Sequence, residues 1–179
     1  MSEEFICQEK EYLKKIQMVY MESKYLFINA EEMLSQMGFF VAPIVEHRDA
    51  LDHIMRYFAI KEKYNLTEKA IKELDKALGH EIRAYFDIAD FTCITIRQEI
   101  NTALSKFSNR KIKKTWKDYV EVRDRVVHIS EEIAEIRKKR NGSLSDIEKY
   151  KVVLEEMFNI YKLFITKIEP QLKRGFRKR

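Results

Sequence analysis

Four glycines and two prolines in 179 residues are too few for the turns of a sheet protein, which excludes most all-β and doubly wound architectures. The two cysteines, Cys7 and Cys93, stand far apart. They make neither a disulfide framework nor a Cys-x-x-Cys zinc site, and they point to a reducing compartment. No apolar run approaches the roughly 18 residues of a membrane span. The opening MSEEF has no basic segment followed by an apolar one, so the expectation is a soluble, cytoplasmic protein that makes no membrane contact. So few glycines leave no phosphate-cradling loop, and no G-x-S-x-G nucleophile turn is present. No histidine has a glutamate three residues before it, as bundle di-metal sites require, so no metal or other cofactor is expected.

What is abundant is Leu, Ile, Met, Glu, Lys and Ala, with 35% of residues charged. This composition predicts an all-α fold, an up-and-down helical bundle of about five helices with a long central helix. A single domain over residues 1–170 is expected, followed by a basic tail over 171–179. The first predicted helix runs from Glu3 to Met37, with Leu13, Ile16, Tyr20, Phe27, Ala30, Leu34 and Met37 inward and Gly38 as its stop. After the connector GFFVAP, Pro43 suits the first turn of a second helix that carries Ile44, Leu51, Met55 and Phe58 on one face and ends near Asn65. Asn65 and Glu68 form a capping-box pattern for a third helix, about Leu66 to Lys106. Its stripe is Ile71, Leu78, Ile82, Tyr85, Ala89, Ile96, Ile100, Ala103 and Phe107, and it would span roughly 60 Å, with a kink expected at Gly79. A fourth helix is read from Lys111 to Arg140, with Trp116, Tyr119, Val120, Val126, Val127 and Ile133 inward. Ser145 and Glu148 cap a fifth, which keeps heptad-like spacing up to Pro170. The tail QLKRGFRKR shows no core pattern.

The short link between the fourth and fifth predicted helices makes them an antiparallel hairpin. That pairing would set Arg110, Lys111, Lys113, Lys114 and Lys117 beside Lys173, Arg174, Arg177, Lys178 and Arg179, with Trp116 and Phe176 nearby. Such a basic end suits a phosphate backbone.

In VEVRDRVVHIS, residues 120–130, the seven-residue spacing of Trp116, Arg123 and Ser130 puts Arg123 in the apolar stripe. Arg123-Asp124-Arg125-Val126-Val127-His128 is an R-x4-H pattern with a polar residue straight after the arginine. It resembles the motif of HEPN superfamily domains, with Asp124 where toxin members carry Asn and Ser130 where they carry Tyr. The resemblance implies a helical bundle that dimerises and acts as a metal-independent ribonuclease of a toxin or phage-defence system. It assigns Arg123, Asp124 and His128 to catalysis: the histidine moves a proton while the arginine stabilises phosphate charge. It also brings RNA as substrate, a second copy of the chain across the Trp116, Tyr119, Val126 and Ile133 face, and a protein partner such as an antitoxin or an effector subunit.

HRDALDHIMR holds a second copy, Arg48-Asp49-Ala50-Leu51-Asp52-His53. Asp49, Asp52, His53 and Arg56 share one helical face, and His80, Arg83, Asp87, Asp90 and Arg97 share another. The two stripes should zip together, with Asp49 or Asp52 on Arg83 and Asp87 or Asp90 on Arg56. An ion-pair network is one reading of them. An acid–base site of Arg48, Asp49, His53, His80, Arg83 and Asp87 is the other. A non-catalytic module that binds nucleic acid or a protein partner needs only the basic end and an apolar face.

Overall fold

The computed structural model describes residues 3–33, 41–139 and 143–174, and among these there is no strand. The helices are α1 (Glu3–Met33), α2 (Val41–Tyr64), α3 (Glu68–Leu104), α4 (Asn109–Thr115), α5 (Tyr119–Lys139), α6 (Leu144–Leu163) and α7 (Glu169–Arg174), with a wide π turn, Phe164–Ile168, between the last two. The all-α class follows from the scarcity of helix breakers, and α3 runs unbroken through Gly79. No described helix is long and apolar enough to cross a membrane. Leu34, Met37 and Gly38 of the first predicted helix, and Phe176, Arg177, Lys178 and Arg179 of the tail, lie outside the described residues.

The chain folds as two compact units, one drawn from Met1–Asp90 and Gly142–Leu144, the other from Phe91–Asn141 and Ser145–Arg179. In the first, α1 and α2 are antiparallel: Glu9 accepts hydrogen bonds from Tyr57 and Lys61 near one end, and the Tyr20 and His47 rings meet edge to face at 5.5 Å. Burial in α1 falls on Ile16, Val19, Ser23, Leu26 and Ala30, while Leu13 and Tyr20 are exposed. The inward face is therefore rotated from the expected one. Asn65, at φ 61°, ends α2 as a left-handed residue. The cap of α3 is Thr67 rather than Asn65: its Oγ1 accepts the Ala70 N–H at 3.4 Å and its carbonyl accepts the Ile71 N–H at 3.1 Å. Along α3 the expected stripe is buried from Ile71 to Ile100, while Ala103 and Phe107 are half-buried.

In the second unit the fourth predicted helix is two helices. Ser108 caps α4 through the Lys111 N–H. At Trp116 the backbone turns extended, with φ −114° and ψ 93°, and the Asp118 carbonyl accepts the Val122 N–H that opens the next helix. The buried indole fixes this corner, packed 5.9 Å from the Phe164 ring. Because phase is lost at the corner, α5 buries Ile129 and Ile133, whereas Val120 and Val127 are exposed. The α5–α6 hairpin is antiparallel. Arg125 meets Glu156, Trp116 meets Phe164 and Lys111 meets Leu172, so partners on the two arms move in opposite directions along the chain.

The helix also continues beyond the expected limit at Pro170. A proline in a helix clashes with the carbonyl four residues before it. Here the Glu169 N–H bonds to the Phe164 carbonyl, and the added residue in that turn lets Pro170 sit in the first turn of α7. Leu172, expected in a tail without core residues, is fully buried. Leu172→Ala should therefore cost about 2–5 kcal/mol, measured by urea unfolding; a loss below about 0.5 kcal/mol, as for a surface site, would mean that α7 is not packed.

Candidate functional site

The α2–α3 interface of the first unit is built from histidine and glutamate. His53 Nδ1 lies 2.6 Å from Glu73 Oε2, His47 Nδ1 lies 2.9 Å from Glu81 Oε2 and His80 Nδ1 lies 2.8 Å from Glu46 Oε2. Glu46 also accepts Arg83 Nε at 2.8 Å. The His53 and His80 rings stack at 5.2 Å, and Arg83 Nη2 sits 2.6 Å from His80 Nδ1. Glu73 and Glu81 are buried, at 7% and 4% exposure, and Arg83 is half exposed. Burial pushes the Glu73 carboxyl up, but hydrogen bonds from Lys76 and His53 outweigh it and the net shift is downward. The lowered carboxyl lies between the His53 imidazole and the Lys76 ammonium.

The polar faces of the two helices do meet, through carboxylates other than the expected ones. Arg83 pairs with Glu46 rather than Asp49 or Asp52. Arg56 pairs with Asp52 one turn back on its own helix, at 2.7 Å, rather than with Asp87 or Asp90. Asp49 accepts Arg48 at 2.7 Å, and that bond, with weaker help from His80 and His53, holds its carboxyl below the usual range. The residues through which α2 bonds to α3 are Glu46, His47 and His53, which leaves Asp49 and Asp52 at the edge. Of the second candidate set, Asp49, His53, His80 and Arg83 gather here, while Arg48 points away, 71% exposed. Asp87 is half-buried one turn beyond Arg83 on α3.

In the second unit, Arg123 is 62% exposed and bonds to neighbouring Asp124 at 3.2 Å. It is not in the apolar stripe, because the count of seven from Trp116 runs through the corner between α4 and α5. His128, 61% exposed, contacts Glu131 and Glu132. The arginine that acts as an ion-pair partner is Arg125: it grips Glu156 with two bonds of 2.6 Å and Glu132 with one of 2.8 Å. Trp116 and Ile133 are buried by the chain's own helices, so the apolar face expected to pair with a second copy is largely closed. A cavity of about 40 Å³ lies between α3, α5 and α6, with Arg97 and Arg123 beside Trp116, Tyr119 and Ile160. Arg97 donates to Ser130 Oγ at 2.7 Å, and Ser130 in turn donates to the Val126 carbonyl.

The basic end assembles on α4 and α7. Lys111 Nζ donates to the Leu172 carbonyl at 2.6 Å and lies 4.9 Å from the Phe107 ring. This bond brings exposed Arg110, Lys113, Lys114 and Lys117 to the same end as Lys173 and Arg174. Lys173 pairs with Glu169; Arg110, Lys113, Lys114, Lys117 and Arg174 have no carboxylate partner among the described residues. Trp116, expected inward on its helix and near this end, is buried. Among the described residues no group of three or more His, Cys, Asp or Glu side chains is placed to hold a metal ion.

Sequence reasoning missed Glu46, Glu73 and Glu81, the carboxylates behind the histidines, and the Arg125–Glu132–Glu156 cluster. A signal for two of them was present: Glu46-His47 and His80-Glu81 are complementary dipeptides, and each glutamate meets the other's histidine, Glu46 with His80 and Glu81 with His47. No family model, curated protein or solved structure matches this chain.

Arg125 holds the Glu156 carboxyl below its usual 4.5 by hydrogen bonding, against a smaller upward push from burial. A carboxyl depressed by folding adds stability that is complete above its unfolded value and is lost as pH falls through the folded one. Glu156→Gln should thus lower Tm at neutral pH, with the gap to wild type closing as pH falls below about 4. A gap that stays constant in calorimetric scans down the acid range would rule out this linkage.

Proposed function

We propose that this chain binds RNA through the basic end formed by α4 and α7. The carrying observation is the Lys111–Leu172 bond, which ties two cationic segments into one surface on which Arg110, Lys113, Lys114, Lys117 and Arg174 are not spent on carboxylates among the described residues. A cluster of mobile cations gains affinity for a polyanion by releasing its condensed counterions. Burial of Trp116 removes the stacking side chain from this surface and favours contact with the phosphate backbone over base reading. The choice of RNA among phosphate polymers rests on the HEPN resemblance of Arg123–Ser130. The test is anisotropy of a labelled single-stranded RNA across a salt series. Replacing Lys113, Lys114 and Arg174 by Ala should weaken binding about tenfold or more and reduce the salt slope by about 2, at roughly 0.7 per phosphate contact on a single strand. Equal affinity and slope in both proteins would overturn the reading, as would tighter binding of a DNA duplex of the same length.

A second reading, metal-independent ribonuclease, is favoured by the stacked His53 and His80. On His53 the Glu73 carboxylate at Nδ1 fixes the tautomer and frees Nε2 for proton transfer, and Arg83, whose Nη2 lies 2.6 Å from His80 Nδ1, offers charge to a phosphate oxygen. The reaction is attack of a ribose 2′-hydroxyl on the adjacent phosphate, one imidazole taking the hydroxyl proton and the other protonating the leaving 5′-oxygen. Mixed RNA incubated with a chelator should be cut by wild type and spared by His53→Ala and His80→Ala variants that keep full helicity. Loss of cutting confined to Arg123→Ala and His128→Ala would move the chemistry to the other R-x4-H copy, and an inert wild type would leave binding alone.

A further inference from the structure

The second helix is amphipathic in the reverse sense to the one its sequence suggests. Ile44, Leu51, Met55 and Phe58, the stripe with core spacing, are about half exposed, and Val41 extends the stripe at 57% exposure. The opposite side, with Glu46, His53 and buried Tyr57, packs inside the first unit. With Arg48 included, the outward positions 41, 44, 48, 51, 55 and 58 alternate steps of three and four without a fault. That is the spacing of a coiled-coil seam.

We propose that this face of α2 is covered by the same face of a second copy, with the two helices antiparallel about a two-fold axis near Asp49 and Ala50. The seam is symmetric about that midpoint: Val41 then meets Phe58 of the partner subunit, Ile44 meets Met55 of the partner subunit, and Arg48 meets Leu51 of the partner subunit. Small residues at one end thereby face large ones from the other, as interdigitating packing requires. A parallel arrangement would instead set Phe58 on Phe58 and Arg48 on Arg48, stacking like charges in the seam. In the antiparallel one, Arg48 reaches Asp52 of the partner subunit. The two arginines (Arg48, Arg56) and two aspartates (Asp49, Asp52) that each copy brings to the region leave no net charge to repel. An arginine at one seam position fixes register at a cost in stability, as polar seam residues do. An isologous contact of this kind closes on itself and does not propagate into fibres. This assembly is independent of RNA binding and uses neither the basic end nor the Trp116–Ile133 face.

Sedimentation equilibrium of the full chain without nucleic acid, from roughly 1 to 100 μM to span a concentration-dependent dimer, should give twice the 21.6 kDa chain mass at the upper end. Leu51→Glu should give the single-chain mass with unchanged circular dichroism, because the side chain is already 54% exposed in one copy; Phe58→Glu serves the same purpose should Leu51→Glu misfold. Val152→Glu, at a 68% exposed position outside α2, should still dimerise. Arg48→Asp and Asp52→Arg should each weaken the dimer, and the double swap should restore it. A chain that is single at every concentration, or a Leu51→Glu protein that stays paired, overturns the proposal. Failure of the double swap to restore pairing overturns the antiparallel register.

Discussion

Which way α2 faces is decided by three histidine–glutamate contacts. Glu46 meets His80 and Arg83 of α3, His47 meets Glu81 and His53 meets Glu73, and a buried carboxylate without a partner costs far more than an exposed leucine. Burial of an aliphatic side chain is worth about 1.5–3 kcal/mol, while a charge left unpaired in the interior costs about 3–5 kcal/mol. With Glu73 and Glu81 already buried on α3, the polar face of α2 wins the contest for the inside. The apolar seam is turned outward as the consequence.

A different constraint governs the second unit. The indole of Trp116 must be buried, and the chain achieves this by leaving helical geometry at that residue. From that corner follow the short α4 with its lysines, the phase of α5, the outward placement of Arg123 and the inward placement of Ile129. The π turn before Pro170 is the matching adjustment on the other arm of the hairpin. It carries Leu172 into the core and its carbonyl to Lys111, so the basic end exists because a proline was accommodated instead of ending the helix.

The helical class, the long third helix with its stripe, and the antiparallel hairpin were legible from periodicity and turn residues, because backbone hydrogen bonding and apolar spacing act locally. Facing was not legible for α1, α2 and α5. In α2 the 3.6-residue period located a stripe but could not say whether water, a neighbouring helix or another molecule lies against it. In α5 the error came from counting through the corner at Trp116, although Asp118 with Glu121 three residues later is itself a capping pattern; such patterns mark a helix start only to within a residue or two, since Thr67 and not Asn65 caps α3 and Ser145 lies inside α6. The basic end was legible as far as Arg174, since charge placement at a hairpin's open end needs only the topology. The Arg125–Glu156 fork was not, because it depends on the rotation of α5, which the sequence period fixes only to within about one residue.

The R-x4-H spacing itself explains how its two copies behave. Residues five apart on a helix differ by about 140° in direction and roughly 7.5 Å in height, so one helix cannot aim both side chains at one phosphate. Both copies obey this: Arg48 turns to Asp49 while His53 goes to Glu73, and Arg123 turns to Asp124 while His128 goes to Glu131 and Glu132. A site that uses an arginine and a histidine together must therefore draw them from two helices. In the first unit that condition is met by residues outside the motif, since α3 brings His80 against His53 and Arg83 against His80. If this chain performs acid–base chemistry on a phosphate, the combination its fold assembles is His53 with His80 and Arg83, and Arg48 is left for the seam.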